Sequence, residues 1–246
     1  MRIVIDPGHG GTDRGTTRGE VTESAITLNV ARALRDEIAK SADFTALLTR
    51  DDDSYLSLEQ RAEIANEKSD VFISIHVNSS ADPKARGKEI YFQNQLDADE
   101  ESLYLANLEN GHPPGDTAAT EKSSPHKMRT ALSADLKGLN SDLKAIVEDL
   151  ERNHRLKMSG LLTEELHRNW GGDPIRRKQA IRQAPFFVIS NVIRPAALIE
   201  IGFLTNPAEA QKLVNPDYQK KIARGIYQAL VKFKEVVDNS TAQHLN

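Results

Sequence analysis

The chain has 246 residues, of which 39% are hydrophobic and 28% charged, with a formal charge of −4 and no cysteine. That balance excludes a disordered chain and fits one large folded domain. It argues against a basic nucleic-acid face, and the missing thiols exclude disulfides, thiolate metal sites and a cysteine nucleophile.

Taken in chain order, short apolar runs alternate with amphipathic stretches, the pattern of βαβ units. Ile3-Val4-Ile5 is the first predicted strand, and it ends in Asp6-Pro7-Gly8-His9-Gly10-Gly11. Residues 23–40 are predicted helical, with Ile26, Val30, Leu34 and Ile38 on one stripe. "FTALLTR" (44–50) is a strand, "LSLEQRAEIANEK" (56–68) a short helix, and "VFISIH" (71–76) a buried strand. "KEIYF" (88–92) is a further strand, expected at an edge. Residues 96–152 are polar and highly charged, and are read as an insertion within a catalytic domain of residues 1–238. Within it, "ADEESLYLANLENG" is a helix stopped by Asn110-Gly111, and "HPPGDTAATEKSSPH" is a loop. A long helix is expected from about Asp142 to Asn169, with Trp170 as a core or helix-end anchor.

The pattern then resumes. "FFVIS" (186–190) and "AALIE" (196–200) are predicted strands. Asn206-Pro207 and Asn215-Pro216 each supply a cap followed by proline at the first helical position, and Glu209 has capping-box spacing from Asn206. Residues 239–246 are expected to be a flexible tail. No apolar run approaches a membrane span. No leader precedes Ile3, as expected of a cytosolic chain or of a mature or trimmed exported one. The predicted fold is a single α/β domain with a twisted, mostly parallel sheet of about six strands and a helical insertion.

Three apolar runs are followed by a candidate polar residue: His9 after the turn Asp6-Pro7-Gly8, and His76 and Glu200 at once. In open α/β sheets ligands bind beyond the carboxyl ends of parallel strands, so these side chains should share one rim. Glu23 opens the first helix after Thr22, and the Gly-rich loop from His9 could fold back to bring it to the same rim. The plainer role for Glu23 is to complement the helix dipole, and Glu20 is a nearby competitor. Two His, one Glu and an open fourth position make a catalytic zinc set. A further carboxylate must then take a proton from water and hand it to the leaving amine, and Glu200 has that chemistry. This points to metal-assisted amide hydrolysis. Asp6 and Asn78 flank the histidines and could orient an imidazole, against the plainer role of holding a turn. Arg61 and Arg194 read as surface or packing residues, as do His112, His126, His154, His167 and His244.

The blocks "IVIDPGHGG", "TR" (49–50), "RAEIAN" (61–66), "DVFISIHVN" (70–78), "GKEIYF" (87–92) and "RPAALIEIGFLTNPAE" (194–209), with Glu23 opening the first helix, occur in one order along the chain. In this the chain resembles the zinc-dependent N-acetylmuramoyl-L-alanine amidases of bacterial cell walls. The resemblance implies His9, Glu23 and His76 as zinc ligands and Glu200 as the catalytic carboxylate. It implies peptidoglycan as substrate, cut between N-acetylmuramic acid and L-alanine, and hence a periplasmic, cell-envelope or secreted location. Relatives that act in cell division carry an insertion after the "EIYF"-like strand, where a helix blocks the site until an activator protein removes it. "LANLENG" (105–111) and "SDLKAIVEDLERN" (141–153) resemble pieces of it. Glu109 is then the first candidate for a plug and Glu148 the second, and the alternative is a merely solvated excursion. A monomer is expected. The competing functions are a catalytically silent wall-binding module on the same fold and a zinc peptidase cutting within the stem peptide.

Overall fold

The computed structural model describes residues 1–94, 97–111, 141–170 and 180–243. The strands are β1 (Arg2–Pro7), β2 (Thr17–Arg18), β3 (Val21–Thr22), β4 (Thr45–Leu48), β5 (Val71–Asn78), β6 (Glu89–Phe92), β7 (Ile181–Gln183) and β8 (Ala196–Phe203). The helices described are α1 (Glu23–Ile38), α2 (Leu58–Lys68), α3 (Glu100–Glu109), α4 (Ser141–Arg168), α5 (Phe187–Ser190), α6 (Pro207–Leu213) and α7 (Pro216–Gln243). Six strands form one sheet in the order β4-β1-β5-β8-β6-β7, and β2 and β3 make a separate small ribbon. Every pairing in the large sheet is parallel except β6 with β8. The expected mostly parallel α/β fold is therefore present.

Both faces of the sheet are covered, which is why its strands read as unbroken apolar runs. Along β1, Ile3 and Ile5 enter the core beneath α1, α4 and α7, while Val4 enters the opposite core with Phe72, Tyr91, Phe186 and Leu198. This alternation follows the two-residue period of a strand. The stripe Ile26, Val30, Leu34 and Ile38 of α1 is buried as its spacing required. Thr22 caps α1 by accepting from Ala25 N, and Ser57 and Gln60 form a complete capping box on α2.

Four expectations change. "FFVIS" is not a strand: it forms α5, and the strand at this edge is β7, six residues earlier in the chain at Ile181. A short apolar run fits a buried helical turn as well as a strand, so periodicity could not decide. Because β7 covers it, β6 is internal rather than at the edge. Glu209 does not close a capping box. Its carboxylate accepts from Gly87 N (2.9 Å) and Phe203 N (2.8 Å), tying α6 to the sheet. The tail expected from residue 239 continues α7 through Gln243.

The helices of the insertion lie where the sequence placed them. α3 packs Leu105 and Ala106 on the core of Tyr91 and Phe186. α4 is continuous past residue 152, so no break marks the expected end of the insertion. Met158, Leu162 and Leu166 of α4 join the core. At its C-terminus, Lys88 Nζ donates to the Leu166 and His167 carbonyls and lies over the Trp170 ring, so Trp170 anchors a helix end. The expected loop "HPPGDTAATEKSSPH", His112, His126 and His244 lie outside the described residues, and His154 and His167 are exposed. No helix among the described residues is long and apolar enough to cross a membrane.

Candidate metal centre

His9 sits just beyond the C-terminal end of β1, His76 near the end of β5, and Glu200 within β8 directly opposite His76 in the register. The parallel order of these strands brings all three to one rim. Glu23, the first residue of α1, is 1% exposed and reaches the same point. Its Oε1 lies 3.2 Å from His9 Nε2 and 3.3 Å from His76 Nδ1. Glu109, the last residue of α3, brings Oε2 to 3.3 Å from the same His9 nitrogen and 3.2 Å from the same His76 nitrogen.

The geometry is one that could hold a cation. His9 Nε2 and His76 Nδ1 are buried and make no hydrogen bond, although carboxylates face them. A tetrahedral ion with bonds of about 2.0–2.1 Å has ligand-to-ligand edges of about 3.3–3.4 Å, and the four measured edges match. The electrostatics agree. Burial opposes charge on both imidazoles, yet Glu23, Asp13 and Glu109 outweigh it at His9, raising it, and Glu109 and Glu23 push His76 up to about 10. Burial would raise Glu23, but the two histidines hold it well below the usual carboxylate range. The carboxylates thus favour positive charge at the centre of the pocket, which a divalent cation could supply with the imidazoles neutral.

The loop that delivers His9 is built to hold an unusual backbone. His9 has φ 58°, a left-handed conformation that a side chain normally avoids. Two buried arginines clamp it. Arg50 donates to the carbonyls of Pro7 (3.0 Å) and Gly8 (2.8 Å), and Arg61 to those of Pro7 (2.8 Å) and His9 (2.7 Å). Asp6 accepts from Arg61 (2.7 Å), Thr49 (2.6 Å) and Ser74 (2.8 Å), so it anchors the clamp and bonds neither imidazole. Asn78 likewise turns away, donating to Glu89 (2.9 Å). The residue that does orient an imidazole was not anticipated: Asp13 Oδ2 lies 2.8 Å from His9 Nδ1. The signal was present as a carboxylate four residues after His9, but only the turn shows it folding back. Glu148 is not brought to this cluster. It pairs with Lys144 at 3.9 Å on α4 and lines a separate cavity with Met1, Asp70 and Phe233.

Glu23 is fixed by two backbone donors, Val77 N (2.7 Å) and Thr16 N (2.9 Å). Gly15 permits this approach. A Cβ there would stand 2.6 Å from Glu23 Oε2 and 2.6 Å from His9 Cδ2, at φ 61°. Gly15→Ala is therefore expected to weaken cation binding by about 10–100-fold, the usual cost of disturbing the groups that orient ligands. Gly19→Ala, at nearly the same φ but with nothing within 4 Å, should leave cation affinity unchanged. Competition with a chromogenic chelator measures both.

Glu200 is 1% exposed, and neither of its oxygens has a hydrogen-bond partner. It can join His76 and Glu109 in a second group of converging ligand atoms. Burial, together with the charges of Glu23, Glu109 and Glu89, pushes its carboxyl well above the usual range against the pull of His76. A carboxyl so placed can hold and release a proton. Beside the cluster a cavity of about 170 Å³ is walled by Tyr55, Leu56, Phe187 and Val188.

A family model described as N-acetylmuramoyl-L-alanine amidase matches residues 3–232. The chain is 31% identical over 95% of its length to a probable N-acetylmuramoyl-L-alanine amidase AmiB of Haemophilus influenzae, of which it covers 52%. It is 29% identical over 98% of its length to N-acetylmuramoyl-L-alanine amidase AmiA of Escherichia coli, covering 78% of it. The chain thus spans about half the length of the first relative and more of the second. Among solved structures, the CwlD amidase of Clostridioides difficile in complex with the GerS lipoprotein superposes with a TM-score of 0.62 at 24% identity, over 96% of this chain and 98% of that one. That likeness bears on the fold alone.

Proposed function

The chain belongs to the N-acetylmuramoyl-L-alanine amidase family, and we propose that it cleaves peptidoglycan between N-acetylmuramic acid and L-alanine with a zinc ion held by His9, Glu23 and His76. The observation that carries this reading is the convergence of two unpartnered imidazole nitrogens on Glu23, beside a buried carboxyl that also lacks a partner. When bound, zinc acidifies a water and polarises the amide carbonyl. Glu200, buried and without a hydrogen-bond partner, would accept a proton from the attacking water and return it to the departing L-alanine nitrogen as the amide C–N bond breaks. Asp13 fixes the His9 ring so that Nε2 faces the ion, and Val77 N and Thr16 N hold Glu23 in place.

In this reading Glu109, whose carboxylate faces both imidazole nitrogens, would take the position that hydrolysis needs open, and α3 would act as the plug. It is pinned at its end by Asn110, whose side chain donates to Pro185 O (3.1 Å) and accepts from Phe187 N (2.7 Å). A partner protein that draws α3 away would open the site, as in the division-type relatives, and the substrate places the enzyme in the cell envelope.

The test uses purified cell wall and mass analysis. Glu109→Ala should release intact stem peptide and leave a free muramic carboxyl, at least ~10-fold faster than the parent chain, the order expected when a competing charged ligand is removed. Glu23→Ala should lose most of the bound zinc and all release. A shortened stem still attached to sugar would replace this reading with a peptidase. No release by zinc-loaded Glu109→Ala would replace it with a silent module.

A further inference from the structure

α3 carries a second carboxylate to the protein besides the plug. Glu101 Oε2 lies 2.9 Å from Arg182 Nη2, and Asp99, the cap of α3, lies 3.7 Å from Nη1. Glu101 and Glu109 are separated by eight positions, about 12 Å of helix at 1.5 Å per residue. One end of the helix thus covers a guanidinium and the other covers the ligand cluster.

Arg182 is an unusual residue for a mere tether. Its side chain is only 8% exposed, while Glu101 is 60% exposed. Its Nε and Nη1 make no hydrogen bond. Leaving buried guanidinium donors unused is costly, and surface ion pairs contribute little in return. Glu89 Oε1 stands 3.5 Å from its Nε in a buried ion pair without a hydrogen bond, while Asn78 and Tyr91 both donate to the other oxygen, Oε2. Burial opposes the charge on Arg182, but Glu89 and Glu101 outweigh it and keep the group cationic.

The sheet sets where this guanidinium stands. Arg182 pairs with Tyr91, and Tyr91 with Leu198, while Glu89 pairs with Glu200 and Glu200 with His76. Paired residues of adjacent strands share a face, so His76, Glu200, Glu89, Tyr91 and Arg182 all look toward α3. Two strand spacings separate β8 from β7, about 10 Å across the sheet. An extended peptide covers about 12 Å in three to four residues. A peptide whose scissile amide sits at Glu200 and His76 would reach Arg182 with a group a few residues away. The planar fork of a guanidinium matches a carboxylate better than any neutral group.

We propose that Arg182 is a recognition site for a carboxylate on the peptide side of the scissile amide, and that Glu101 occupies it while Glu109 occupies the ligand cluster. The inference rests on the reading of α3 as a plug, so its test reads binding rather than turnover. The probes are a synthetic acidic stem peptide beginning with L-alanine and the same peptide with its carboxylates converted to carboxamides. Calorimetry is run on the full chain carrying Glu109→Ala as the reference. Adding Glu101→Gln should tighten the acidic peptide about ten-fold and leave the carboxamide peptide unmoved. Adding Arg182→Gln should abolish the preference for the acidic peptide. Glu101 is a surface position, so that arm stands even if Arg182→Gln fails to fold. Equal gains for both peptides with Glu101→Gln, a preference that survives Arg182→Gln, or no preference in any chain would each overturn the proposal. If no form cleaves cell wall and the binding contrast persists, the amidase reading fails while this one stands.

Discussion

Glu200→Gln is expected to lower the rate of amide release by about 10²–10⁴-fold, the range that a positioned acid–base group supplies. The amide keeps the shape of the side chain and removes only its ability to carry a proton. Glu200 is not among the residues proposed to hold the ion, so zinc content should match that of the parent. Stability should be unchanged or slightly higher. The parent keeps a carboxyl with two unpartnered oxygens in a pocket shared with Glu23, Glu109 and Glu89, and a neutral amide relieves that crowding. The pairing of lost turnover with retained or raised thermal stability marks a group placed for chemistry rather than for packing. The measurement is release of stem peptide in the Glu109→Ala background, with melting curves of Glu200→Gln and the parent chain, both keeping Glu109. A rate within a few-fold of the parent would remove Glu200 from the proton path.

What the sequence revealed of this site follows from how each residue is placed. His9 and His76 stand at or near the ends of apolar strands, and Glu200, expected at a strand end, lies within β8 opposite His76, so the parallel strands carry all three to one rim. Glu23 was legible because helices announce their first residue through a cap, and Thr22 supplies it. Asp13 and Arg182 were not legible. Asp13 acts through a turn that depends on φ 58° at His9, a conformation no side-chain pattern signals. Arg182 lies on β7, a strand only three residues long, and its partners Glu89 and Glu101 are remote in sequence. Asp6 takes the plainer of its two expected roles, holding the His9 loop rather than an imidazole, but through Thr49, Arg61 and Ser74, which only folding brings near. The sequence placed Glu109 as the first choice for a plug, and the structure sets its carboxylate against both histidines.

Arg61→Ala should carry the largest cost in stability. Arg61 and Asp6 form an ion pair at 2.7 Å with side chains 3% and 0% exposed. Removing one partner of such a pair strands the other charge, at about 3–5 kcal/mol. For a domain of this size each kcal/mol moves the melting temperature by about 2–4 °C, so a fall on the order of 10 °C is expected. The pH dependence discriminates this cause from a simple packing defect. Burial alone would raise the Asp6 carboxyl, but Arg61 and the Thr49 hydroxyl outweigh it and hold it below its ordinary value. A carboxyl lowered in the folded state contributes stability that is present above its unfolded value, about 3.9, and lost as pH falls through the folded value. The parent should therefore hold its melting temperature down to about that pH and lose it below. In Arg61→Ala only the Thr49 and Ser74 hydroxyls still work against burial, so the folded value of Asp6 rises toward or above the unfolded one and the acid-side loss shrinks or reverses. The same substitution frees the His9 carbonyl, which Arg61 holds at 2.7 Å, so zinc affinity should fall together with stability. Arg61→Lys keeps the charge but not the fork that spans Asp6, Pro7 and His9, and should recover the acid profile better than the zinc affinity. Melting curves from about pH 3 to 7 with paired zinc titrations test this. An unchanged acid limb in Arg61→Ala would show that the buried pair does not govern the loop on which the metal site stands.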